Sequence, residues 1–409
     1  MTRPQLILSP GREKFIDRRH PWIFSGAVMR ETGDPHEGDL VDVVAVDGRW
    51  LAVGHYQPES IRVKVLSYTT PDIDEAWWRA RLASAIAYRR QLGLFNMGLA
   101  DLSAPNHHSN LTDMFRLIHA EGDFLPGLVA DYYNGALVLQ AHSMGMYRML
   151  PQLAAWLGEM LGDKLRVVFN KSAATLPDGV GENGFLLGDP CDEWEAHEQG
   201  HRYLINFREG QKTGFFLDQR DNRALLSSLS AGRRVLNCFG YTGGFSLAAL
   251  HGGARYVETV DISKRAIELC DRHVELNYGA AAPHRGVVAD VLQYIPSVSR
   301  PESDLFDIVI LDPPAFAKSH KVLQQALKGY RAINRKALEL LPPGGLLFTF
   351  SCSQAVSRDE FQTMVFSAAN LAGRQVRIVR HLAHGADHPV SIHHPEGEYL
   401  KGLLLQVDG

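Results

Sequence analysis

The sequence predicts an α/β protein with a largely parallel sheet in its C-terminal half, and two observations lead to this fold class. From about residue 207 onward, short apolar or β-branched segments alternate with longer segments of helical periodicity. Such alternation is typical of a parallel sheet with helices on both faces. Residues 1–70 contain several short β-branched runs instead, and residues 115–205 mix strands with a helix. We therefore expect a small β-rich unit, a mixed middle part and a C-terminal α/β domain.

The individual elements follow from local patterns. Short β-branched runs predict strands, and Asp47-Gly48 predicts the turn between two of them. Before residue 207, strands are predicted at 40–46, 50–53, 61–66, 136–140 and 166–169, helices within 72–98 and near 148–162, and glycine-rich loops around 179–188. After it, strands are predicted at 234–237, 256–260, 286–289, 306–311 and 346–351, and helices at 246–251, 263–276, 323–340 and 359–371.

Composition excludes several other protein classes. The chain has 409 residues, 45% hydrophobic and 22% charged, values typical of a folded protein with roughly two to four domains. Nothing approaches the run of about 18 apolar residues that spans a bilayer, and the first residues do not resemble a signal peptide. Four cysteines cannot build a disulfide framework in a chain this long. We therefore expect a cytoplasmic protein with no membrane segment.

Positive charge is concentrated at two places although the net charge is −4. Residues 1–30 carry six basic and two acidic side chains, and residues 318–336 carry six basic and no acidic ones. In the second stretch the cations fall on one helix face, at Lys318, Lys321, Lys328, Arg331 and Arg335. A solvated helix face is the ordinary explanation. The missing acidic partners favour contact with phosphates of a polyanion.

A glycine-containing loop indicates a nucleotide-type ligand. The strand Val235-Leu236-Asn237 runs into Cys238–Gly244, and a helix follows, so the loop and the free N–H groups of the helix can approach a ligand closely. The next strand ends at Asp261, 17 residues past Gly244, where a carboxylate can accept both ribose hydroxyls of an adenosine-containing ligand. Asp290 follows the third strand, where an adenine amino group could be recognised.

Other interpretations of this loop remain open from its residues alone. It could be a tight turn that only packs a helix on a strand. NAD binding is the nearest alternative, but the spacing is G-x-x-G-G and not G-x-G-x-x-G. A phosphate-binding P-loop is excluded because its glycine–lysine pattern is absent and residues 210–214 have the wrong order.

A second strand end predicts the substrate site. The buried-type strand 306–311 ends in Asp312-Pro313-Pro314-Ala315-Phe316, and two prolines force the chain out of the sheet. This presents Asp312 where ligands bind in open α/β sheets. A carboxylate that bonds the edge of a planar base, beside an aromatic ring that stacks on its face, would hold a heterocycle. A rigid structural turn is the alternative.

Cys352 follows a third strand end, in Ser351-Cys352-Ser353. Most cysteines are core residues, but this one is expected on the same edge of the sheet as Asp312. A soft nucleophile beside an acid and a planar base suggests covalent catalysis. The other three cysteines lack this setting, and we interpret the two near the glycine loop and in the following helix, Cys238 and Cys270, as packing residues.

The histidine-rich segment near the C-terminus does not predict a metal site. His388, His393 and His394 lie near Asp387 in a stretch with two prolines and a glycine. A loop of this kind has no fixed ligand spacing, so we predict no metal.

With these motifs in place, the chain resembles the RlmI-type (YccW) bacterial 23S rRNA cytosine-5 methyltransferases, which use S-adenosylmethionine. The resemblance covers nearly the whole chain, and Ala315 departs from it because relatives have lysine there. It rests on GREKFIDRRHPWIFSGAV at 11–28, FRLIHAEGDFLPGLVADYYNG at 115–135, KTGFFLDQRDNR at 212–223, VLNCFGYTGGFS at 235–246, FDIVILDPPAF at 306–316, LLFTFSCS at 346–353 and DHPVSIHHPEGEYLKG at 387–402.

The resemblance implies a fold of three domains. They are an N-terminal PUA β-barrel that binds RNA (1–70), a central α/β domain (71–200) and a C-terminal Rossmann-like class I methyltransferase domain (201–409). The implied cofactor is S-adenosyl-L-methionine, and the implied partner is 23S rRNA or a precursor of the large subunit. A homodimer is compatible with the sequence.

The resemblance also implies roles for particular residues. The 212–220 hairpin is expected over the cofactor, Asp261 at its ribose, Asp290 at its adenine, and Asp312 and Cys352 at the substrate base. The expected cofactor contacts are Thr213, Gly214, Phe215, Gln219, Asn237, Phe239, Gly240, Tyr241, Thr242, Gly243, Asp261, Ile262, Ser263, Asn277, Asp290, Val291, Asp312 and Pro313. The expected RNA contacts are Arg12, Lys14, Arg18, Arg19, Phe316, Lys318, Lys321, Lys328 and Arg331.

Cytosine-5 methylation needs a nucleophile because carbon 5 of cytosine is itself a poor one. The expected chemistry is addition of the Cys352 thiolate at carbon 6, with Asp312 hydrogen-bonded at N3. In an alternative hypothesis, the chain is an enzyme that methylates a purine nitrogen of RNA, and Cys352 is structural. A third is a non-catalytic RNA-binding protein with a relic methyltransferase fold. A nicotinamide dehydrogenase explains the basic residues least well.

Overall fold

The computed structural model describes residues 3–94, 112–298, 305–316 and 322–408, together with the backbone but not the side chain of Phe15. The chain divides into two compact units. The first contains Met1–Asp218 and Ala386–Gly397, and the second contains Gln219–Gly385 and Glu398–Gly409. Among the described residues, no helix is long and apolar enough to cross a membrane.

The first unit begins with a six-stranded sheet. Its strands are β1 (Gln5–Leu8), β2 (Trp22–Phe24), β3 (Val28–Thr32), β4 (Leu40–Val44), β5 (Trp50–Tyr56) and β6 (Ile61–Ser67), and a short helix α1 (Lys14–Asp17) follows β1. The order in the sheet is β2-β6-β5-β4-β1-β3, and its pairs are antiparallel except for β1 with β4. One face buries a small apolar core that includes Leu6, Val41 and Val63. The three strands predicted here are confirmed.

A second sheet in this unit has five strands. They are β7 (Met114–His119), β8 (Leu128–Tyr133), β9 (Ala136–Ala141), β10 (Val167–Lys171) and β11 (Asn183–Leu187), in the order β11-β10-β9-β8-β7. Helices α2 (Glu75–Gln91) and α3 (Met144–Leu161) pack on its core, and a hairpin of β12 (Trp194–Glu198) and β13 (His201–Ile205) follows. The predicted loop at 179–188 is wrong in part, because β11 forms there and pairs with β10 as the edge strand of the sheet.

The second unit contains a seven-stranded sheet. Its strands are β14 (Arg234–Cys238), β15 (Tyr256–Asp261), β16 (His284–Val288), β17 (Ile308–Leu311), β18 (Leu346–Ser351), β19 (Val376–Leu382) and β20 (Lys401–Val407). The order is β16-β15-β14-β17-β18-β20-β19. The first five run parallel, as predicted, and β20 runs antiparallel to both of its neighbours.

Helices cover both faces of this sheet. They are α4 (Arg220–Ser228), α5 (Gly244–His251), α6 (Lys264–Tyr278), α7 (Val291–Ser297), α8 (Leu323–Leu340) and α9 (Arg358–Ala372). One core lies between the central strands and α8 and α9, and it includes Leu236, Val309, Leu347, Ile333 and Phe361. The predicted strands and helices after residue 207 are confirmed to within a few residues.

The sheets follow the expected sequence regions. The six-stranded sheet lies within residues 1–70, the five-stranded sheet within 71–200 and the seven-stranded sheet within 201–409. The exact three-domain division stays a prediction, because the division into compact units places the first two sheets together.

Candidate active site

The candidate site lies where the order of the parallel sheet reverses. β15 lies on one side of β14 and β17 on the other, so the loops after these strands diverge and leave a crevice. The register aligns the strand ends, because Cys238 pairs with Leu311 and Leu311 pairs with Thr349. The segments that contain Gly240, Asp312 and Cys352 therefore leave the sheet at the same edge.

The glycine loop is tied to Asp261 through its backbone. The carboxylate oxygens of Asp261 accept the N–H groups of Tyr241 and Ser263, each at 2.9 Å. Gly243 lies in the left-handed region with φ of 84°, and a Cβ built there would lie 2.4 Å from Sγ of Cys270. Glycine is therefore required at this position by both conformation and close approach. This close packing brings the loop against the N-terminal half of α6.

A buried polar chain lies beneath the loop. Nδ2 of Asn237 donates to the Ser246 hydroxyl at 2.9 Å, which contacts the Thr259 hydroxyl at 2.6 Å. That hydroxyl lies 2.7 Å from Nε2 of His284, and burial lowers the pKa of His284 to about 4. The imidazole is therefore neutral at pH 7 and contributes a hydrogen bond without a charge.

Two buried acceptors at the loop lack a hydrogen-bond partner within the described structure. They are Oδ1 of Asn237 and Oγ1 of Thr242. A buried polar atom without a partner costs roughly 1–3 kcal/mol. A ligand with ammonium or hydroxyl donors would satisfy these atoms, which fits the amino acid end of S-adenosylmethionine.

The residues expected at the adenosine end are close in the fold. Ile262 follows Asp261 and is 73% exposed, while Ser263 caps α6 by accepting the N–H of Ala266. Asp290 caps α7 by accepting the N–H of Leu292 at 2.9 Å, and Val291 is buried behind it. An exposed apolar side chain beside two carboxylates suits a flat ring attached to a ribose.

Cys352 lies beside the segment that follows β17. Its Sγ is 4.0 Å from the carbonyl oxygen of Pro313, the residue after Asp312. Cys352 is half-buried, and so is Asp312. The structure therefore brings the predicted nucleophile and the predicted acid to neighbouring strand ends, as their positions in the sequence imply.

Tyr330 on α8 joins the two strand ends, and nothing in its local sequence pointed to this role. Its hydroxyl accepts the N–H of Phe316 at 3.5 Å and lies 3.0 Å from the Ser353 hydroxyl. The centroid of its ring lies 4.5 Å from that of Phe316. The Phe316 ring also packs edge-on against Phe239, with 6.4 Å between the ring centroids. Phe316 is thus part of an aromatic cluster, and its expected stacking on RNA stays a prediction.

Lys401 is a second residue that the motifs did not single out. It is the cross-strand partner of Ser351, and only 4% of its surface is exposed. Its Nζ donates to the carbonyl of Ser353 at 2.7 Å. Burial lowers the pKa of Lys401 to about 8, while the negative charge of ionised Cys352 opposes this shift. At pH 7 the ammonium form therefore predominates next to Cys352.

The 212–220 segment is divided between the two units. In the first unit, Thr213 is buried and bonds Asp131 at 2.5 Å, and Phe215 packs on Tyr203 at 4.8 Å. Gly214 has φ of 133°. Gln219 belongs to the second unit, where it accepts a hydrogen bond from Asn222. The expected position of this segment over the cofactor stays a prediction.

Asn277 lies at the opposite end of α6 from Asp261, one turn after His273, whose Nδ1 lies 2.9 Å from the Thr242 carbonyl oxygen. It is in the last turn of α6, where its Nδ2 donates to the carbonyl of His273 at 2.7 Å. The helix starts after Ser263, and a rise of about 1.5 Å per residue puts roughly 20 Å between the two positions. The structure therefore does not bring Asn277 to Asp261.

Basic residues line two concave surfaces. In the first unit, a shallow cavity of about 310 Å³ is lined by Arg12, Lys14 and Arg18. Arg19, the next residue in the chain, is exposed. In the second unit, a cavity of about 490 Å³ lies between α7 and α8, and Lys328 and Arg331 contribute to its wall.

Two cations of the basic stretch have an acidic partner outside it, contrary to the expectation that they lack one. Glu339, just beyond the basic stretch, pairs with Arg335 at 2.7 Å and Lys336 at 2.8 Å. Lys328 and Arg331 make no ion pair within the described part of the chain. Lys318 and Lys321 lie outside the described residues.

Comparisons with known proteins agree with this fold. A family model for S-adenosylmethionine-dependent methyltransferases matches residues 124–388, and one for PUA-like domains matches residues 6–68. The chain is 37% identical over 410 aligned positions to ribosomal RNA large subunit methyltransferase I of Klebsiella pneumoniae strain 342, which covers 99% of this chain and 98% of the relative. The relative with this name from Salmonella typhi is 38% identical, with the same coverage.

A solved structure shares the whole fold. It is described as a methyltransferase complexed with SAH, covers 98% of this chain and 100% of its own, and superposes with a TM-score of 0.81 at 23% identity. The PUA-like domain, the S-adenosylmethionine-dependent domain and the α/β fold that the sequence predicts are thus confirmed. This chain belongs to the S-adenosylmethionine-dependent methyltransferases, and among them to the family of ribosomal RNA large subunit methyltransferase I.

Proposed function

We propose that this protein transfers a methyl group from S-adenosylmethionine to carbon 5 of a cytosine in 23S rRNA or a large-subunit precursor. The name of its relatives supports ribosomal RNA as the substrate. The PUA-like domain and the basic concave surface at Arg12, Lys14 and Arg18 support contacts with RNA phosphates. The choice of carbon 5 rests on the chemistry of the strand ends.

The observation that carries this choice is the position of Cys352. Its sulfur lies 4.0 Å from the carbonyl of Pro313, next to Asp312, at the edge where the sheet order reverses. Methylation of a purine nitrogen needs no nucleophile from the enzyme, because the nitrogen has its own lone pair. Carbon 5 of cytosine gains sufficient electron density only after a nucleophile adds to carbon 6.

The proposed residues of the cofactor site are those around the glycine loop. Each carboxylate oxygen of Asp261 accepts one backbone N–H and has a second lone pair, with which it would accept a hydrogen bond from a ribose hydroxyl. Asn237 and Thr242 would accept donors from the amino acid end through their orphan oxygens. S-adenosylmethionine supplies an electrophilic methyl group on a sulfonium, which leaves as a neutral thioether when carbon 5 takes the methyl.

We infer a covalent intermediate between Cys352 and the cytosine base. The Cys352 thiolate forms a bond to carbon 6, and the electrons of the 5,6 double bond move onto carbon 5 and toward N3. Asp312 in its protonated form stabilises this adduct by donating its proton in a hydrogen bond to N3, and it keeps that proton when the double bond re-forms. After methyl transfer, the carbon 5 proton passes to water, the 5,6 double bond re-forms, and the carbon 6–sulfur bond breaks to return the thiolate.

Two neighbours support the reactivity of Cys352. The ammonium of Lys401 is anchored at the Ser353 carbonyl and stabilises the thiolate electrostatically. Tyr330 holds the segments that contain Asp312 and Cys352 through its bonds to Phe316 and Ser353. Lys401 would thus favour the ionised form of Cys352, and Tyr330 would fix the position of Cys352 relative to Asp312.

Nucleoside mass spectrometry tests this proposal. Ribosomal RNA is taken from a strain that lacks this gene and re-expresses wild-type protein, Cys352→Ala or the control Cys191→Ala. Both cysteines are half-buried, and Cys191 belongs to the first unit. We expect wild type and Cys191→Ala to restore 5-methylcytosine and Cys352→Ala not to. If Cys352→Ala restored 5-methylcytosine, or if wild type restored a methylated purine instead of 5-methylcytosine, the hypothesis of purine methylation would be favoured.

A further inference from the structure

Three potential metal ligands meet in the first unit, and one of them is far from the other two in the chain. They are His20, just before β2, and His394 and Glu396 in the segment 386–397. One ligand atom from each lies within 4.8 Å of the other two. The sequence predicts no metal for the histidine-rich loop, because the loop has no fixed ligand spacing. His20 lies some 370 positions away, so the spacing within the loop could not reveal it.

The distances between these atoms match a small coordination sphere. Nε2 of His20 lies 3.4 Å from Oε2 of Glu396, and Nε2 of His394 lies 3.8 Å from the same oxygen. Ligand atoms about 2.0–2.2 Å from a tetrahedral zinc ion are roughly 3.3–3.5 Å apart. Both imidazole nitrogens thus lie within a few tenths of an ångström of the separation from the Glu396 oxygen that zinc requires, and the two nitrogens lie within 4.8 Å of each other.

An independent observation points to a ligand at this place. His394 is only 5% exposed, and its Nε2 is buried without a hydrogen-bond partner. Its ring is held in place by Trp22 at 4.4 Å. A buried ring nitrogen directed at a carboxylate, but too far from it for a hydrogen bond, is the arrangement that a metal ion would complete.

The other ring nitrogen of His20 is already oriented. Nδ1 accepts the backbone N–H of Trp22 at 3.1 Å and lies 3.3 Å from the carbonyl oxygen of the same residue, so the two tautomers of His20 have different partners here. If Nδ1 carries the proton and donates to the carbonyl, Nε2 presents its lone pair toward Glu396. Metal-bound histidines are commonly oriented by such a backbone contact.

Charge around the cluster favours a divalent cation. Glu396 contributes one negative charge and Glu121, which accepts a hydrogen bond from Trp22, contributes a second. Lys64 lies 3.9 Å from Glu121 and offsets one of them. The Glu396 side chain is 51% exposed, which leaves a path for an ion and for a water molecule as a fourth ligand.

We propose that His20, His394 and Glu396 bind one zinc ion, with water in the fourth position. Two imidazoles and a carboxylate are a donor set that zinc accepts. The ion would join the segment 386–397 to the start of β2 inside the first unit. This site is independent of the proposed methyl transfer.

Zinc titration of full-length protein without a purification tag tests the site. Protein freed of metal with a chelator is titrated with Zn²⁺ by calorimetry, and bound zinc is counted by elemental mass spectrometry. Wild type is compared with Glu396→Gln, an exposed position where folding is not at risk, and with His394→Gln. His393→Gln is the matched control, because His393 is an exposed neighbour in the same loop.

We expect one tight equivalent of zinc in wild type and His393→Gln, and its loss in Glu396→Gln and His394→Gln. Zinc should also raise the melting temperature of wild type but not of Glu396→Gln. Equal tight zinc stoichiometry in wild type and Glu396→Gln, or no tight equivalent in wild type, would overturn the proposal.

Discussion

Replacing Lys401 by methionine should separate stability from activity. The substitution removes a buried ammonium and keeps most of the side-chain volume. Burial lowers the pKa of Lys401 from 10.5 to about 8. The unfolded chain therefore holds this proton more tightly than the folded one, and below pH 8 the folded state bears the full cost of the buried charge. At 1.36 kcal/mol per pH unit this cost is about 3 kcal/mol.

Methionine removes this cost but also a hydrogen bond. Nζ of Lys401 donates to the Ser353 carbonyl, and the loss of such a bond costs about 1 kcal/mol. We expect the free energy of unfolding of Lys401→Met at pH 7 to rise by roughly 1–2 kcal/mol. The gain should shrink as pH rises from 8 to 10.5, because wild type then loses its buried charge.

Methyl transfer should fall in the same variant. Ionised Cys352 and the Lys401 ammonium attract each other, and a nearby positive charge favours ionisation of a thiol, typically by roughly 1 pH unit or more. Without it the thiolate fraction at pH 7 should drop about 10-fold or more, and the loss should be smaller at pH 9. Single-turnover methylation across this range measures the effect, and urea unfolding measures stability.

Lys171 provides a thermodynamic control in the other unit. It is buried, donates to the Gly210 carbonyl, and burial lowers its pKa to about 8. Lys171→Met should gain comparable stability without moving the pH dependence of methyl transfer. If Lys401→Met kept the wild-type pH profile and rate, the role of Lys401 at Cys352 would be refuted.

Three further predictions concern the cofactor side of the sheet. Gly243→Ala should destabilise the fold by about 2–4 kcal/mol, against about 1 kcal/mol for Gly373→Ala, because both glycines are in the left-handed region but only the first places a Cβ 2.4 Å from Sγ of Cys270; equal losses by urea unfolding would contradict this. Asp261→Asn should weaken S-adenosylmethionine binding about 10-fold or more, since its amide cannot accept on both sides; unchanged calorimetric affinity would contradict this. His284 should contribute about 3 kcal/mol of stability above pH 6.5 that is lost as pH falls toward 4, because its folded pKa is about 4; His284→Gln should flatten this part of the pH–stability curve.

Local patterns predicted the parallel half of the sheet well. The strands that lead to Asp312 and Cys352 are short, mainly apolar runs, and polar or proline residues follow them, so their ends are marked in the sequence itself. Parallel strands align these ends at one edge without further information. The juxtaposition of Cys352 with the Pro313 carbonyl follows from this rule.

Contacts between distant segments could not be predicted in this way. Lys401 reaches Ser353 only because β20 inserts antiparallel beside β18, and nothing near residue 401 indicates that pairing. Tyr330 looks like any apolar position on the buried face of α8, although its hydroxyl joins two strand ends. The pairing of Arg335 with Glu339 lies one turn beyond the stretch that appeared to lack acidic residues.

The covalent bond between Cys352 and carbon 6 of cytosine is the central claim, and a trapped complex tests it directly. RNA that contains 5-fluorocytidine cannot lose fluorine from carbon 5 as the proton is lost, so the enzyme should remain attached after methyl transfer. Intact mass and peptide mapping should locate an S-adenosylmethionine-dependent adduct at Cys352 in wild type and Cys191→Ala, and none in Cys352→Ala. An adduct that persists in Cys352→Ala, or its absence in wild type that methylates ordinary RNA, would contradict the mechanism.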